Sequence, residues 1–468
     1  MKFTIPVSLS LAALQSQLSR AADLGQVPID NLIGNNNWDI LDLATENSAN
    51  TEGCTVSRLT AFEQIAGPIN FSDSATQHLV EPRLSALNST TWEQWEFDGT
   101  ARDGLSGIVM GFSRDASYAF FGQGNLRVEF YMLLADGSVI QDLDYVDVST
   151  VTSCADHVSG LWESKTRTYG FRVSRDMKLA EAWWETRRSK GRLSIESDTK
   201  PGLADGSLWP PPPSSNPENP SATAEVAPKL YMSHPIAGGR VIAEHSIGSK
   251  RLSFEGRGAH TRIWARDSWF QICEGWNAIR AFVGPYTLMY WQPVSRVRKG
   301  VAYYSALLFR DGDLLVGTSG IHGNVSAAGR DHNDSAPRDR GADYVTLTHD
   351  FGGQVTGSMA DRSTGHYIEF VSPRLGGKTW RFLAEHKRKK FDMNMGDGLG
   401  LSGFTTRVTG GEVGGDDGAP LEGFGWSEQV ALPMKIKDWQ IWIIYGIGFL
   451  GEWKHTVFDV FQKFFRVN

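Results

Sequence analysis

His260, Arg262 and Trp264 stand at alternate positions in the segment FEGRGAHTRIWARDSW. Alternate positions on a β-strand share a face, so these three side chains point one way and Ile263 and Ala265 the other. An imidazole and a guanidinium beside an indole can hold a polar substrate group against an aromatic surface and share or move its proton. Tyr290 and Trp291 end a second apolar run, which opens at the corner Gly284-Pro285-Tyr286. His260, Arg262 and Tyr290 are therefore the candidate catalytic groups. Trp264, Trp276, Tyr286, Trp291, Tyr303 and Trp426 are the candidate walls of a small-molecule cavity, with the triplet facing into it. A packed sheet core shows the same pattern, and spacing alone favours that plainer account. In it, His260 bonds backbone at a strand crossing and Arg262 pairs with Asp267 or Glu255.

Other chemistries find less support. The chain has no G-x-S-x-G elbow, no H-E-x-x-H, no Walker loop and no G-x-G-x-x-G ahead of a helix. His322, Asp331 and His332 lie in a polar loop without ligand spacing, and the glycine-rich loop with Asp416-Asp417 lacks the alternating ligands of a calcium loop, so no metal site is expected. Glu93, Glu96, Glu274 and Glu428 are available as paired carboxylates for glycoside chemistry, where the separation is spatial, but none has a diagnostic context.

The elements that must position the aromatic segment are strands. Ile108, Met110 and Phe112 alternate with small residues, Leu126, Val128 and Phe130 with Arg127 and Glu129, and Tyr169, Phe171 and Val173 with Gly170, Arg172 and Ser174. Asp98-Gly99, Asp136-Gly137 and Asp311-Gly312 read as hairpin turns between such runs. The composition changes around Pro210-Pro211-Pro212-Pro213, which cannot form an interior strand. The expected layout is an irregular lead-in over 22–55, an N-terminal β domain over 56–200, a Pro-rich linker over 201–229 and a C-terminal β-barrel domain over 230–468. An amphipathic helix through Trp453, Val457, Phe461 and Phe464 ends the last domain. The 468 residues exceed what one core usually organises, which agrees with two domains.

A net charge of -7 argues against a nucleic-acid partner, since phosphate binding needs clustered Lys and Arg. The one dense basic run, Lys387-Arg388-Lys389-Lys390, reads as a solvated strand face. No segment is long and apolar enough to span a bilayer. Residues 1–21 have the layout of a secretory signal peptide. Four N-x-S/T sequons, at Asn70, Asn88, Asn324 and Asn333, and the polar settings of Cys54 and Cys154 agree with secretion, the localisation expected. A Cys54–Cys154 disulfide would close a loop of about 100 residues and add roughly 4–5 kcal/mol on the chain-entropy account. Cys273, in an apolar run, is expected to be a buried thiol.

The pattern G-x-G-x-H-x-x-x-W at Gly256, Gly258, His260 and Trp264 resembles the lipocalin-like Diels–Alderases of fungal natural-product clusters, distant relatives of hydroxyneurosporene synthase. Gly284-Pro285-Tyr286 with the run to Trp291, the hairpin at Leu308–Val316, Trp92–Asp98 and Pro235–Glu244 extend the resemblance. Ala259 and Thr261 depart from the Tyr and Asp of the hydratase branch and argue against carotenoid hydration. The resemblance implies an all-β fold of two tandem lipocalin-like β-barrel domains, no cofactor, small apolar or aromatic natural-product substrates, and a [4+2] cycloaddition. Within the family, the secretory features and the polar 319–343 segment lean towards the branch that couples an o-quinone methide tropolone, formed by dehydration, to a humulene-type alkene. Intramolecular decalin formation and a secreted lipocalin-like carrier are the alternatives.

Overall fold

The structure is a computed structural model that describes residues 53–117, 123–187, 189–213, 222–248, 250–324, 341–415 and 420–434. The signal segment, nearly all of the lead-in, Asn333 and the C-terminal helix lie outside the described residues. The described chain is almost entirely antiparallel β, in two sheets of 14 and nine strands.

The first sheet takes β1 (Thr55–Thr60), β2 (Trp92–Ala101), β3 (Gly107–Asp115), β4 (Leu126–Leu133), β5 (Val139–Tyr145), β6 (Val148–Ser153) and β7 (His157–Ser164). It continues through β8 (Arg167–Ser174), β9 (Leu179–Thr186), β10 (Ser189–Ser197), the short β11 (Gly202–Leu203) and β12 (Glu225–Ala227), β13 (Leu230–Ile247) and β14 (Lys250–Ala265). A helical turn at Trp269–Ile272 leads to the second sheet. That sheet holds β15 (Cys273–Val283), β16 (Tyr286–Ser295), β17 (Val301–Arg310), β18 (Asp313–Asn324), β19 (Tyr344–Asp350), β20 (Gly365–Ser372), β21 (Lys378–Gly396), β22 (Leu399–Glu412) and β23 (Leu421–Ala431). Its order runs from β18 through β15 and β23 to β19, and its two edges meet. Thr318 Oγ1 donates to the Asp343 carbonyl at 2.7 Å and His322 Nε2 lies 2.8 Å from the Val345 carbonyl, so the barrel is nearly closed.

The change of sheet falls at Trp269–Ile272 and not in the Pro-rich stretch. β13 pairs with β10, and β14 pairs with β2, so residues 230–265 complete the first sheet although they were expected in the second domain. Part of the Pro-rich stretch is itself packed: Leu203, Ala204 and Ala224 are fully buried, and β11 and β12 pair with β13. The Asp311-Gly312 turn and the Gly284 corner form as expected, with positive φ at all three residues. Asp98-Gly99 does not turn. It lies inside β2, where a side chain at Gly99 would meet Val241 Cγ1 at 2.8 Å. Gly256 and Gly258 have a similar cause, because a Cβ at either would collide with the carbonyl oxygens of Thr100 and Asp98. The Cys54–Cys154 disulfide is formed, and Cys273 is free and buried.

Register fixes which way the aromatic segment faces. On β14, His260, Arg262 and Trp264 lie opposite Phe97, Trp95 and Glu93 of β2, and all six face the interior of the first sheet. His260 stacks on Phe97 with ring centres 4.1 Å apart and its Nδ1 is 2.9 Å from the Glu96 carbonyl. The Arg262 guanidinium sits 3.6 Å above the Trp95 ring and reaches Glu93 Oε2 at 3.1 Å. Glu93 also faces Arg114 at 3.5 Å and accepts from the Arg83 N–H at 2.8 Å. One carboxylate thus sits between two buried guanidiniums. Glu93→Gln leaves both without compensation and is expected to lower stability by about 3–5 kcal/mol, read by urea unfolding. A loss under about 1 kcal/mol would show that the network is dispensable.

Candidate active site in the seam between the sheets

Residues of β2 and β14 that point away from the first core meet the outer face of the second sheet. On β2 these are Trp92, Gln94, Glu96 and Asp98, and on β14 Ala259, Thr261, Ile263 and Ala265. The opposing face carries Trp276, Ala278 and Arg280 of β15, Met289 and Trp291 of β16, and Trp426 and Glu428 of β23. Glu96, Ile263, Trp276, Ala278, Leu401 and Glu428 keep partial solvent contact although they lie in the seam, so the seam is not sealed along this stretch.

One wall of the seam is aromatic. Trp92 stacks on Trp269 at 4.0 Å, Trp269 meets Trp276 at 5.0 Å, and Trp276 meets Trp291 edge-on at 6.1 Å. The opposite side is ionic. Arg280 pairs with Asp98 across the seam, donates from Nη2 to Thr261 Oγ1 at 2.8 Å, and points Nε at Met289 Sδ. Its guanidinium lies 5.6 Å from the Trp426 ring centre.

Lys390 approaches the same ring from β21. Lys389 pairs with Phe404 and Phe391 with Gly403, which leaves Lys390 as the extra residue of a β-bulge. A bulge re-aims a side chain, and here it turns Lys390 fully out of solvent, with Nζ 5.3 Å from the Trp426 ring centre. The expected solvated face holds for Lys387 and Lys389, which are exposed, and for half-exposed Arg388, but not for Lys390. Lys387 donates to the Asp103 carbonyl and Arg388 to the Ala135 carbonyl at 2.8 Å, so the run fastens the second sheet to loops of the first. Phe391 packs on Tyr131 of β4 at 4.4 Å beside them.

Burial moves the protonation equilibria of this cluster. Lys390 is pulled down to about 7, chiefly by desolvation and then by the Arg280 charge. Glu428 is pushed up to about 8 by desolvation and the neighbouring Glu96, despite accepting from Trp276 Nε1 at 2.9 Å. Glu96 is raised as well, by desolvation. Near neutral pH Glu428 therefore largely keeps its proton and Lys390 is partly neutral, both beside aromatic surface. Glu96 and Glu428 do share one cleft, as paired-carboxylate chemistry requires, but burial disfavours the ionised form of both.

The structure separates the residues singled out from sequence. Trp276, Trp291 and Trp426 come together in the seam, and Tyr303 packs against the same cluster. His260, Arg262 and Trp264 share a face as expected, but that face is the first core, whereas Ile263 and Ala265 take the seam side, the reverse of the expectation. Tyr286 and Tyr290 point into the second barrel. Asp98, Arg280, Lys390 and Trp269 were not singled out for the site. A surface depression of about 490 Å³ lined by Asp205, Leu314, Asp343 and Arg374 lacks an aromatic wall and is not the site.

A half-open sheet joined to a nearly closed barrel, with an aromatic and acid–amine cleft between them, defines a lipocalin-like small-molecule enzyme fold. The chain belongs to the Diels-Alderase-like family, whose model matches residues 51–433. It is 51% identical to the Diels-Alderase mycB of Thermothelomyces thermophilus over 88% of this chain and 89% of that one. It is 41% identical to the hexane cyclase xenF of Xenoacremonium sinensis over 96% of each chain. The crystal structure of CghA superposes with a TM-score of 0.66 at 25% identity, covering 81% of this chain and 99% of that one. The chain is accordingly an enzyme of the Diels–Alderase type, all-β as expected. Among the described residues no helix is long and apolar enough to cross a membrane.

The paired shifts predict a pH profile. A carboxyl raised to about 8 leaves the folded state holding a proton that the unfolded state has released, so the Glu428 contribution falls as pH rises from about 4.5 to 8. An amine lowered to about 7 does the reverse, so the Lys390 contribution rises from about pH 7 to 10.5. Compared with the parent, Glu428→Gln is expected to lose the falling limb and Lys390→Met the rising limb in melting temperature measured against pH. Unchanged profiles would contradict the buried placement.

Proposed function

We propose that the seam cleft is where the [4+2] cyclisation takes place, on a polyene that carries a conjugated carbonyl. The supporting observation is the aromatic surface of Trp276, Trp291 and Trp426 with Glu428 and Lys390 set directly beside it. A cycloaddition needs no nucleophile. It needs diene and dienophile held face to face, and such pre-ordering is worth up to about 7–11 kcal/mol. The flat indoles give a surface on which an unsaturated chain folds. A protonated Glu428, oriented by Trp276, or the Trp426 Nε1–H, which has no hydrogen-bond partner, can donate to the dienophile carbonyl as charge moves onto its oxygen.

The ring formed is all-carbon and closes within one substrate molecule. The hexane cyclase names of relatives in Xenoacremonium sinensis and Acremonium support this over the hetero-Diels–Alder coupling of a tropolone quinone methide to humulene. The hetero reading retains one favourable feature, since Glu428 could protonate a leaving hydroxyl. The test incubates the purified chain with a linear polyenyl carbonyl substrate and, separately, with the hydroxy-tropolone and alkene pair. Stereoselective carbocycle formation faster than in buffer is expected only from the first. Glu428→Leu is expected to lower kcat by about a hundredfold. Product formed no faster and no more selectively than in buffer would overturn the cyclase site and leave a carrier.

Passage through the secretory pathway is proposed as well. It is supported by the Cys54–Cys154 disulfide, since such bonds persist in oxidising compartments. Asn70 is exposed and available for glycosylation, whereas the Asn88 carboxamide is engaged with Gly67, Thr90 and Thr91. Secreted chain from a eukaryotic host should shift in mass on glycosidase treatment, and Asn70→Gln should reduce the shift. An unglycosylated intracellular product would refute this route.

A further inference from the structure

We propose that Lys390 is a nucleophilic amine that condenses with α,β-unsaturated aldehydes to give an iminium inside the seam cleft. This rests on the seam being the substrate site and extends it to a new class of dienophile.

The geometry that carries the inference is unusual for a lysine. Lys390 is the unpaired residue of a bulge, has no solvent exposure, and its Nζ has no hydrogen-bond partner. A buried ammonium normally secures a carboxylate or carbonyl partner. Gly107 on β3 makes room for this side chain, since a Cβ there would lie 2.9 Å from Lys390 Cε. The charged groups facing it are Glu96 on β2, Arg280 on β15 and Glu428 on β23, with Asp98 already paired to Arg280. Desolvation and Arg280 together favour the neutral amine, the form with a free lone pair.

The step balances without any further reagent. The Nζ lone pair attacks the aldehyde carbon, and the carbonyl π pair moves to oxygen. That oxygen takes up one proton from the Glu428 carboxyl and one from the attacking nitrogen and leaves as water, giving the C=N bond. The nitrogen keeps one proton, so the product is an iminium beside the Glu428 carboxylate. An iminium draws electron density from the conjugated alkene more strongly than a hydrogen-bonded carbonyl and so activates it as a dienophile. The Trp426 face, already 5.3 Å from Nζ, would stack on the resulting cation.

The experiment treats the full chain at pH 7.5 with trans-cinnamaldehyde and sodium cyanoborohydride, which reduces an iminium to a stable secondary amine, and maps the adducts by peptide mass spectrometry. One adduct on Lys390 is expected, forming about tenfold or more faster than on exposed lysines such as Lys178 and Lys229. Lys390→Arg should abolish it, and Glu428→Gln should slow it while surface labelling is unchanged. Adducts spread over surface lysines with Lys390 unmodified would overturn the proposal, and mapping on the parent chain decides this even if a variant fails to fold. Trapping requires no cycloaddition, so parallel assays separate its failure from that of the cyclase site. Cyclisation without trapping overturns only the amine, and trapping without cyclisation overturns only the reaction assigned to the cleft.

Discussion

The ion pair between Arg280 and Asp98 is the contact on which the site depends, because it joins the two sheets at the point where both have turned their polar residues inward. Charges removed from water are tolerated only when paired and hydrogen-bonded. Arg280 meets that condition with a carboxylate and a hydroxyl, and both come from the first sheet. Glu96, Glu428 and Lys390 do not meet it. With Arg280 and Asp98 balancing each other, Glu96, Glu428 and Lys390 remain buried beside them, and desolvation moves each toward its neutral form. The mixed acid and amine character of the cleft follows from that desolvation.

The cores on either side of the seam are each held by their own contacts. The first is locked by Glu93 between Arg114 and Arg262, each guanidinium also set against Trp95. The second is a barrel closed through Thr318 and His322. The two sheets are also fastened directly, by Lys387, Arg388 and Thr405 donating to carbonyls in loops of the first.

Sequence pattern and residue type exposed the strands, the disulfide and part of the aromatic surface, Trp276, Trp291 and Trp426, but not Trp269. They did not reveal which face of a strand meets which core. The His260–Arg262–Trp264 alternation was legible, but its direction is set by β14 pairing with β2, more than 150 residues earlier in the chain. Asp98-Gly99 carries the dipeptide of a hairpin turn, yet Gly99 is required by close packing under Val241 and Asp98 by a cation on the other sheet. Lys387–Lys390 read as solvated because charge runs usually are. Only the bulge, visible in the register of β21 and β22, separates Lys390 from the residues before it.

The same burial that neutralises Lys390 and Glu428 is what an apolar polyene requires. A cleft of permanent charges would have to be desolvated by the substrate, at a penalty that offsets the aromatic contact. Groups that are neutral at rest carry little such penalty. They respond only when the reacting carbonyl gains negative charge, so their stabilisation falls mainly on the transition state and not on the bound substrate. In the proposed reaction, the energetic difference between ground and transition state would then arise from protonation states that the seam sets before the substrate binds.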